Sequence, residues 1–439
     1  MSVQTIIHQR PMMSAQVLVV LLCFVLNMID GMDVVVVSYV APRIIQEWMV
    51  TPQTFGLVLS AALVGMAAGA MVISPYTDVI GRRNMVLLCM AIVSVGMLFT
   101  AQANSINQLA LLRLFTGLGI GSMLASSAAL TYEYASAQRR NLAVSFVLGG
   151  YPVGATMTGL LAAWLIPEHG WRAMFYTGST VSLLLLPVIY FLLPESLEFL
   201  LSKQPPRALD RINHILQKLK LELLTALPER NRHYKLMTVV ESFSANIRSL
   251  FAPTQIASTL KLWVAFFMAF FTLYFLLSWI PKIAEGTGLT PVQGSYAGAV
   301  FNTGSFLGTV ILGYLSAQIG LKRVIYLFML WSAVLMVFFG AFRFPLAIFM
   351  CILFVLGFFA QGGFVGLYAV AARLYPVEIR TTGIGWGIGV GRIGAILAPV
   401  LGGQAIGFNL PVALIFILFA LPCLVAGYAV MSITDDNLD

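Results

Sequence analysis

The stretches SPYTDVIGRR at residues 74–83 and GYLSAQIGLKR at residues 313–323 resemble each other and stand at matching places in the chain. Each follows the second long apolar run of its half. A second matched pair, Tyr134-x4-Arg139 and Tyr375-x4-Arg380, follows the fourth run of each half. A repeat of this kind in an apolar chain indicates two related halves of six spans each.

The composition identifies a lipid bilayer as the solvent of this chain. Of its 439 residues, 59% are apolar and only 10% are charged, and the mean hydropathy is +0.92. An ordinary soluble domain has about 25% charged residues, so a soluble protein is excluded. Apolar windows of about 20 residues, the length that crosses a bilayer, are predicted at twelve places: 16–40, 55–76, 84–103, 108–132, 142–165, 173–193, 262–281, 294–316, 324–342, 345–372, 381–405 and 410–431.

We therefore expect an all-α polytopic membrane protein with twelve transmembrane helices in two six-helix halves. The predicted boundaries are 1–193 for the N-terminal half, 194–261 for a cytoplasmic linker, and 262–439 for the C-terminal half with a short cytoplasmic tail. An amphipathic helix is expected in the linker near Pro206–Leu224.

The basic residues predict the orientation of the chain. With both termini in the cytoplasm, the short cytoplasmic segments carry nine Lys and Arg, the linker carries ten, and the opposite side carries four. This positive-inside bias favours that orientation. It also accounts for the net charge of +8, so nucleic acid is not expected as a partner.

Four charged residues lie inside apolar spans: Asp30 and Asp33 in span 1, Arg113 in span 4 and Arg392 in span 11. Charge within a bilayer is costly and usually faces a cavity, so each is a candidate functional residue. Asp30 and Asp33 share one helical face. Because two close carboxylates in a weakly polar site resist joint ionisation, one of them is expected to accept a proton. The competing interpretation is a hydrogen bond to a neighbouring helix.

The depths of these residues suggest how they are used. At about 1.5 Å per residue, Asp33 lies roughly 8 Å and Arg113 roughly 10 Å from the centres of their spans, toward the same side. An Asp33–Arg113 pair is therefore a hypothesis that depth permits. Arg392 lies near the middle of span 11, and its planar guanidinium suits bidentate binding of a substrate carboxylate. The alternative for Arg392 is a structural ion pair with another helix.

Other chemistries are not indicated. The four cysteines lack CxxC spacing, and the four histidines lack paired ligand spacing, so no metal site is expected. Gly389-x-Gly391-x-x-Gly394 spells a dinucleotide fingerprint, but no strand precedes it. No nucleophile–base arrangement appears, so an enzyme is not expected.

Several motifs together resemble the major facilitator superfamily along essentially the whole chain, and more narrowly its aromatic acid:proton symporter family. The superfamily motif is Asp78-x-x-Gly81-Arg82-Arg83. The family motifs are Asp30-Gly31-Met32-Asp33, Arg113-x3-Gly117-x-Gly119 with Glu133-Tyr134, Leu193-Pro194-Glu195, and Tyr375-Pro376-x3-Arg380-x2-Gly383-x-Gly385-Trp386-x3-Val390-Gly391-Arg392.

The resemblance implies the major facilitator fold and a secondary active transporter. Such a protein would import an aromatic carboxylate, hydroxybenzoate- or phenylpropionate-like, by proton symport with alternating access. It would need no cofactor besides the coupling proton, and would work as a monomer in the bacterial inner membrane. A proton-antiporting efflux transporter of small organic compounds remains the alternative, because Gly150-Tyr151-Pro152-Val153-Gly154 partly matches an antiporter signature.

Residues are assigned to three predicted roles. Proton coupling is expected of Asp30 and Asp33. Substrate binding is expected of Asp33, Arg113, Arg392, Gln361, Tyr151 and Trp386. A cytoplasmic gate is expected of Asp78, Arg82, Arg83, Glu133 and Arg380, with Glu133 paired to Arg82 or Arg139. The competing interpretations are ordinary packing for the aromatic residues and positive-inside anchoring for the gate arginines.

Overall fold

The computed structural model describes residues 12–136, 138–227, 250–253, 255–375 and 380–433, with the backbone alone at 75, 78, 125, 140, 141, 380 and 381. Within these residues, twelve helices are long and apolar enough to cross a membrane. Helices are expected here because a bilayer offers backbone amides and carbonyls no water, so each span must satisfy its own hydrogen bonds.

We number these twelve helices α1 to α12 in chain order. The first six are α1 (Ser14–Glu47), α2 (Pro52–Val72), α3 (Arg82–Ala101), α4 (Ile106–Tyr134), α5 (Gly150–His169) and α6 (Arg172–Leu192). The second six are α7 (Ile256–Gly286), α8 (Pro291–Ile319), α9 (Leu321–Ala341), α10 (Leu346–Leu374), α11 (Arg380–Gly407) and α12 (Val412–Met431). Shorter helical segments cover Ser74–Tyr76, Thr77–Ile80, Arg140–Leu148, Leu197–Lys203 and Ala208–Lys218.

Helix packing repeats between the halves, as the sequence repeat predicts. In the first half, α1 packs on α5, α2 on α4, and α3 on α6. The equivalent pairs in the second half are α7 with α11, α8 with α10, and α9 with α12. The halves meet along a seam where α2 packs on α11, α5 on α8, and α1 on α7.

This seam is tight at one end of the bundle. We call the end where α6 stops and α7 starts the linker side, and the opposite end the far side. Toward the far side, a Cβ added to Gly56 of α2 would lie 2.6 Å from the Pro399 carbonyl of α11, and Ser60 donates a hydrogen bond to the Ile396 carbonyl at 2.6 Å. Toward the linker side, Gly385 of α11 faces open space.

The α5–α8 part of the seam shows the same closure. The ring of Tyr39, from α1, lies between Gly159 of α5 and Gly298 of α8. Its hydroxyl donates to the Ala155 carbonyl at 3.3 Å. Only residues without a side chain allow this approach, since a Cβ on Gly298 would lie 2.5 Å from the Tyr39 ring. The halves therefore interlock on the far side, beyond the level of Asp33.

The linker begins as two short helices on the linker side. The second, Ala208–Lys218, has Ile212, Ile215 and Leu216 buried, and its sequence alternates these with charged residues. It lies inside the predicted amphipathic segment and is shorter than that segment. The helix ends at Lys218, and Leu219 and Lys220 form a turn. The predicted linker residues 228–249 lie outside the described part of the chain.

Candidate functional site

Asp33 of α1 and Arg113 of α4 form a buried ion pair. The Arg113 Nη1 donates to Asp33 Oδ1 at 2.7 Å, and Nη2 lies 2.5 Å from Oδ2. Nη2 also donates to the Asp33 backbone carbonyl at 2.9 Å. Both side chains are 0% exposed. The two residues that matched in predicted depth are therefore laterally adjacent as well.

The Asp33–Arg113 pair lies wholly within the N-terminal half. A fork-to-fork arrangement satisfies both carboxylate oxygens, which is the strong geometry for such a pair. Removing one partner of a buried pair costs about 3–5 kcal/mol, because the other charge is left uncompensated. In this arrangement Arg113 provides the counter-charge of Asp33, and each oxygen of that carboxylate already accepts a hydrogen bond.

Asp30 lies one turn before Asp33 and has a different environment. It is 3% exposed, and its Oδ1 has no hydrogen-bond partner within the described residues. The neighbouring Gly31 lets α5 approach closely, since any added Cβ would overlap the carbonyl of Tyr151. That approach brings Tyr151 beside Asp30, and the Tyr151 hydroxyl is likewise buried without a partner in the described structure.

Arg392 enters the same region from α11, across the seam. Its side chain is half-buried, and its Nη1 lies 3.9 Å from the sulfur of Met66. It forms no salt bridge with any described carboxylate. Its charge acts electrostatically on Asp30, Tyr151, Tyr274 and Tyr368. The guanidinium therefore has unused donors in a partly desolvated site.

Aromatic rings from α7 and α10 form a wall next to Arg392. Phe270 stacks on Tyr274 with ring centroids 5.8 Å apart, and Phe364 meets Phe270 edge-on at 4.6 Å. Phe364 in turn meets Tyr368 edge-on, with ring centroids 5.6 Å apart. Gly391, beside Arg392, has the Phe270 ring where a side chain would otherwise lie. A cation beside flat apolar rings is an arrangement that suits a planar anion.

The other two predicted substrate residues lie in different places. Gln361 is buried on α10, one turn from Phe364, so it belongs to the helix that builds the aromatic wall. Trp386 is 38% exposed and stacks on Trp263 with ring centroids 5.7 Å apart. It lies on α11 about 9 Å nearer the linker side than Arg392. Its substrate role stays a prediction, and this stacking gives it a packing partner of its own.

The predicted gate residues meet at the linker side of the N-terminal half. Arg82 pairs with Glu133, one of the two predicted arrangements, and with Glu198 at 3.5 Å. Glu195 accepts the Arg83 backbone N–H at 3.0 Å and so caps α3. The described contacts therefore attach the start of the linker to α3 and α4, within one half. The side chains of Asp78 and Arg380 lie outside the described residues.

Several site residues were not singled out from the sequence. Tyr368 and Met66 look like ordinary members of apolar spans. Tyr368 lies on the same α10 face as Gln361 and Phe364, so helical periodicity extended from Gln361 would have found it. Glu195 belongs to the family motif Leu193-Pro194-Glu195, but no pattern there predicts its capping role.

Comparisons with known proteins place these observations in a family. The family model described as Major Facilitator Superfamily matches residues 23–293 and 262–437. The gallate transporter of Pseudomonas putida is 32% identical over 97% of this chain and 93% of that protein. The 4-hydroxybenzoate transporter of Pseudomonas aeruginosa is 30% identical over 98% of this chain and 95% of that protein.

A solved structure titled as a D-xylose-proton symporter has the same fold. It superposes with a TM-score of 0.72 at 15% identity, covering 97% of this chain and 99% of the other. The fold and the family resemblance predicted from the sequence are thereby confirmed. The family and these relatives are transporters and not enzymes, and this chain belongs to the major facilitator superfamily.

Proposed function

We propose that this protein imports an aromatic carboxylate by proton symport, with alternating access to a site between its halves. The observation that carries this proposal is the guanidinium of Arg392, which has no carboxylate partner in the described part of the chain and lies beside an aromatic wall at the seam. A half-buried cation within a membrane span is costly without a counter-charge. A carboxylate ligand would supply that counter-charge through two parallel hydrogen bonds.

The relatives support an aromatic acid as the substrate. Proteins similar along nearly the whole chain are named as gallate and 4-hydroxybenzoate transporters. In this chain, Arg392 would hold the carboxylate while the rings of Phe270 and Phe364 contact the flat faces or edges of the substrate ring. Aromatic pairs of this kind contribute beyond simple area burial.

Proton coupling is assigned to the two aspartates of α1. In the described state, Asp33 pairs with Arg113 through both of its carboxylate oxygens. Protonation of Asp33 would free Arg113 and weaken the bond between α1 and α4. Asp30 has an unused oxygen close to the substrate site and would be the second proton acceptor.

The orientation follows from the charge bias of the sequence. We assign the linker side to the cytoplasm, the far side to the exterior, and the protein to the bacterial inner membrane as a monomer. The far-side interlock around Tyr39 and the open space at Gly385 would then describe a transporter that faces the cytoplasm. Each net positive charge moved inward would gain about 2.3 kcal/mol per 100 mV of membrane potential.

Uptake by proteoliposomes with an imposed pH gradient tests this function. With the exterior acidic, labelled 4-hydroxybenzoate is expected to accumulate inside above its external concentration, and collapse of the gradient by an ionophore is expected to abolish accumulation. Gradient-driven extrusion of preloaded acid would instead support the efflux alternative. No gradient-dependent movement in either direction would contradict proton coupling.

A further inference from the structure

We infer that the site selects ring-hydroxylated aromatic acids over unsubstituted ones, with Asp30, Tyr274 and Tyr368 as the groups that recognise the hydroxyls. This inference rests on the proposed function, because it takes Arg392 as the carboxylate anchor. It adds a specificity-determining role for Tyr274 and Tyr368 and narrows the substrate class to phenolic acids.

Several polar side chains near Arg392 have no hydrogen-bond partner among the described residues. Asp30, Tyr151, Tyr274 and Tyr368 all lie within electrostatic range of Arg392. The structure gives none of the four side chains a hydrogen bond within the described residues, and Asp30 Oδ1 and the Tyr151 hydroxyl are also buried. Buried polar groups are normally hydrogen-bonded, so the unpaired Asp30 Oδ1 and Tyr151 hydroxyl indicate a ligand that pairs them.

The aromatic wall also fixes the positions of the Tyr274 and Tyr368 hydroxyls. Tyr274 is held by stacking on Phe270. Tyr368 is held by edge-on contacts with Phe364 and with Phe266, whose ring centroid lies 5.4 Å from that of Tyr368. A plain apolar slot would need only the phenylalanines. The wall instead ends in two phenol groups near the cation, which can both donate to and accept from a hydroxyl.

A further support is the distribution of these groups over the two halves. Asp30 and Tyr151 belong to α1 and α5, whereas Tyr274, Tyr368 and Arg392 belong to α7, α10 and α11. An acid held by Arg392 and bonded through a ring hydroxyl to Asp30 would link the halves. Benzoate, which has no hydroxyl, would leave Asp30 and the phenols unpaired.

The size of the preference for hydroxylated acids over benzoate follows from the free-energy cost of leaving polar groups of the site without hydrogen bonds. A site whose polar groups match a substrate hydroxyl rejects the analogue that lacks it, because those groups then stay desolvated and unbonded. For one lost hydrogen bond in a buried site, the expected discrimination is about 10- to 100-fold. The preference is expected to increase with a second ring hydroxyl, because that hydroxyl can bond to another of the unpaired side chains Asp30, Tyr274 and Tyr368.

Titration calorimetry of the full-length protein in detergent tests the inference with benzoate, 4-hydroxybenzoate and 3,4,5-trihydroxybenzoate. We expect both hydroxylated acids to bind at least about tenfold more tightly than benzoate. Tyr368→Phe and Tyr274→Phe should each weaken binding of the hydroxylated acids by about tenfold and change benzoate binding less than about twofold. Tyr314→Phe, on a side chain of α8 that is 68% exposed, is the matched control and should change neither.

The outcomes separate this inference from the function beneath it. Benzoate bound as tightly as the hydroxylated acids, or Phe variants that weaken all three acids equally, would overturn the hydroxyl recognition and leave the aromatic-acid function standing. Failure of the wild-type protein to bind any of the three acids would overturn both.

Discussion

Arg113 and Arg392 are two arginines inside the same helical bundle in opposite circumstances. Arg113 is 0% exposed, and both its terminal nitrogens bond to Asp33. Arg392 is half-buried at the seam, and a methionine sulfur at 3.9 Å is its hydrogen-bond partner among the described residues. The first is a completed pair inside one half, whereas the second is an unpaired cation between halves.

The difference separates two tasks that a symporter must perform. A completed internal pair can switch with protonation, but in this state both terminal nitrogens of its arginine already bond to the aspartate. An unpaired guanidinium beside aromatic rings has donors for a carboxylate. We therefore propose proton coupling for Asp33–Arg113 and anion binding for Arg392, and variants at each site test that division.

Breaking the internal pair should have the largest effect on stability. Asp33→Asn leaves Arg113 buried without a counter-charge, and we expect unfolding to become easier by about 3–5 kcal/mol. Thermal unfolding in detergent should show a clear fall in Tm. The double variant Asp33→Asn, Arg113→Gln removes both charges and should recover most of the loss. An unchanged Tm for the single variant would contradict the described pair.

Replacing Arg392 should affect binding and leave stability intact. Arg392→Lys keeps the charge but loses the two-pronged donor geometry, so we expect aromatic-acid affinity to fall by about 10- to 100-fold. Because Arg392 has no ion-pair partner among the described residues, Tm should stay near that of the wild type. Arg343→Lys, on the exposed α9–α10 connection, is the control and should change neither quantity. Unaltered acid binding by Arg392→Lys would disprove bidentate recognition.

A methyl group in the far-side interlock should shift the balance between conformations. Gly298→Ala places a carbon against Tyr39, so we expect the far side to spend more time open and transport to slow. Labelling of Ser295→Cys by an impermeant maleimide, after replacement of the exposed Cys351, should speed up several-fold. Gly313→Ala on the same helix faces open space and should leave labelling unchanged. Equal labelling in both variants would mean that Tyr39 does not close this side.

The smallest effect is expected from Trp386→Phe. The Trp386 ring stacks on Trp263 outside the cluster around Arg392, and phenylalanine keeps an aromatic face there. We expect less than about a twofold change in the KM for aromatic-acid uptake, since a single stacking contact contributes modestly. A large rise in KM would show that Trp386 belongs to the substrate site and that the site extends toward the linker side.

The sequence predicted the spans because the bilayer demands long apolar helices, yet it misjudged their lengths. Span 1 was expected at 16–40, whereas α1 runs from Ser14 to Glu47. Hydropathy registers only the apolar stretch, while the helix continues to Glu47, where Trp171 and Arg172 bond to its carboxylate. Such ends depend on side-chain partners distant in sequence.

The site shows the same limit in three dimensions. Depth along the helices was enough to suggest that Asp33 and Arg113 match, but their lateral contact depends on how α1 and α4 pack. Arg392 stood out because charge is rare in a span, whereas Tyr368 did not, because tyrosine in a membrane helix is common. Rarity identified the charged residues, whereas the choice among many aromatic residues near them depends on how the helices pack.

The division of tasks is tested most directly by measuring two kinds of transport on the same variants. Counterflow, in which labelled acid exchanges without a gradient, requires the substrate site alone, whereas accumulation under a pH gradient also requires coupling. We predict that Asp33→Asn, Arg113→Gln retains counterflow and loses gradient-driven accumulation, and that Arg392→Lys is impaired in both. Loss of counterflow in the first variant, or full accumulation by it, would contradict the account.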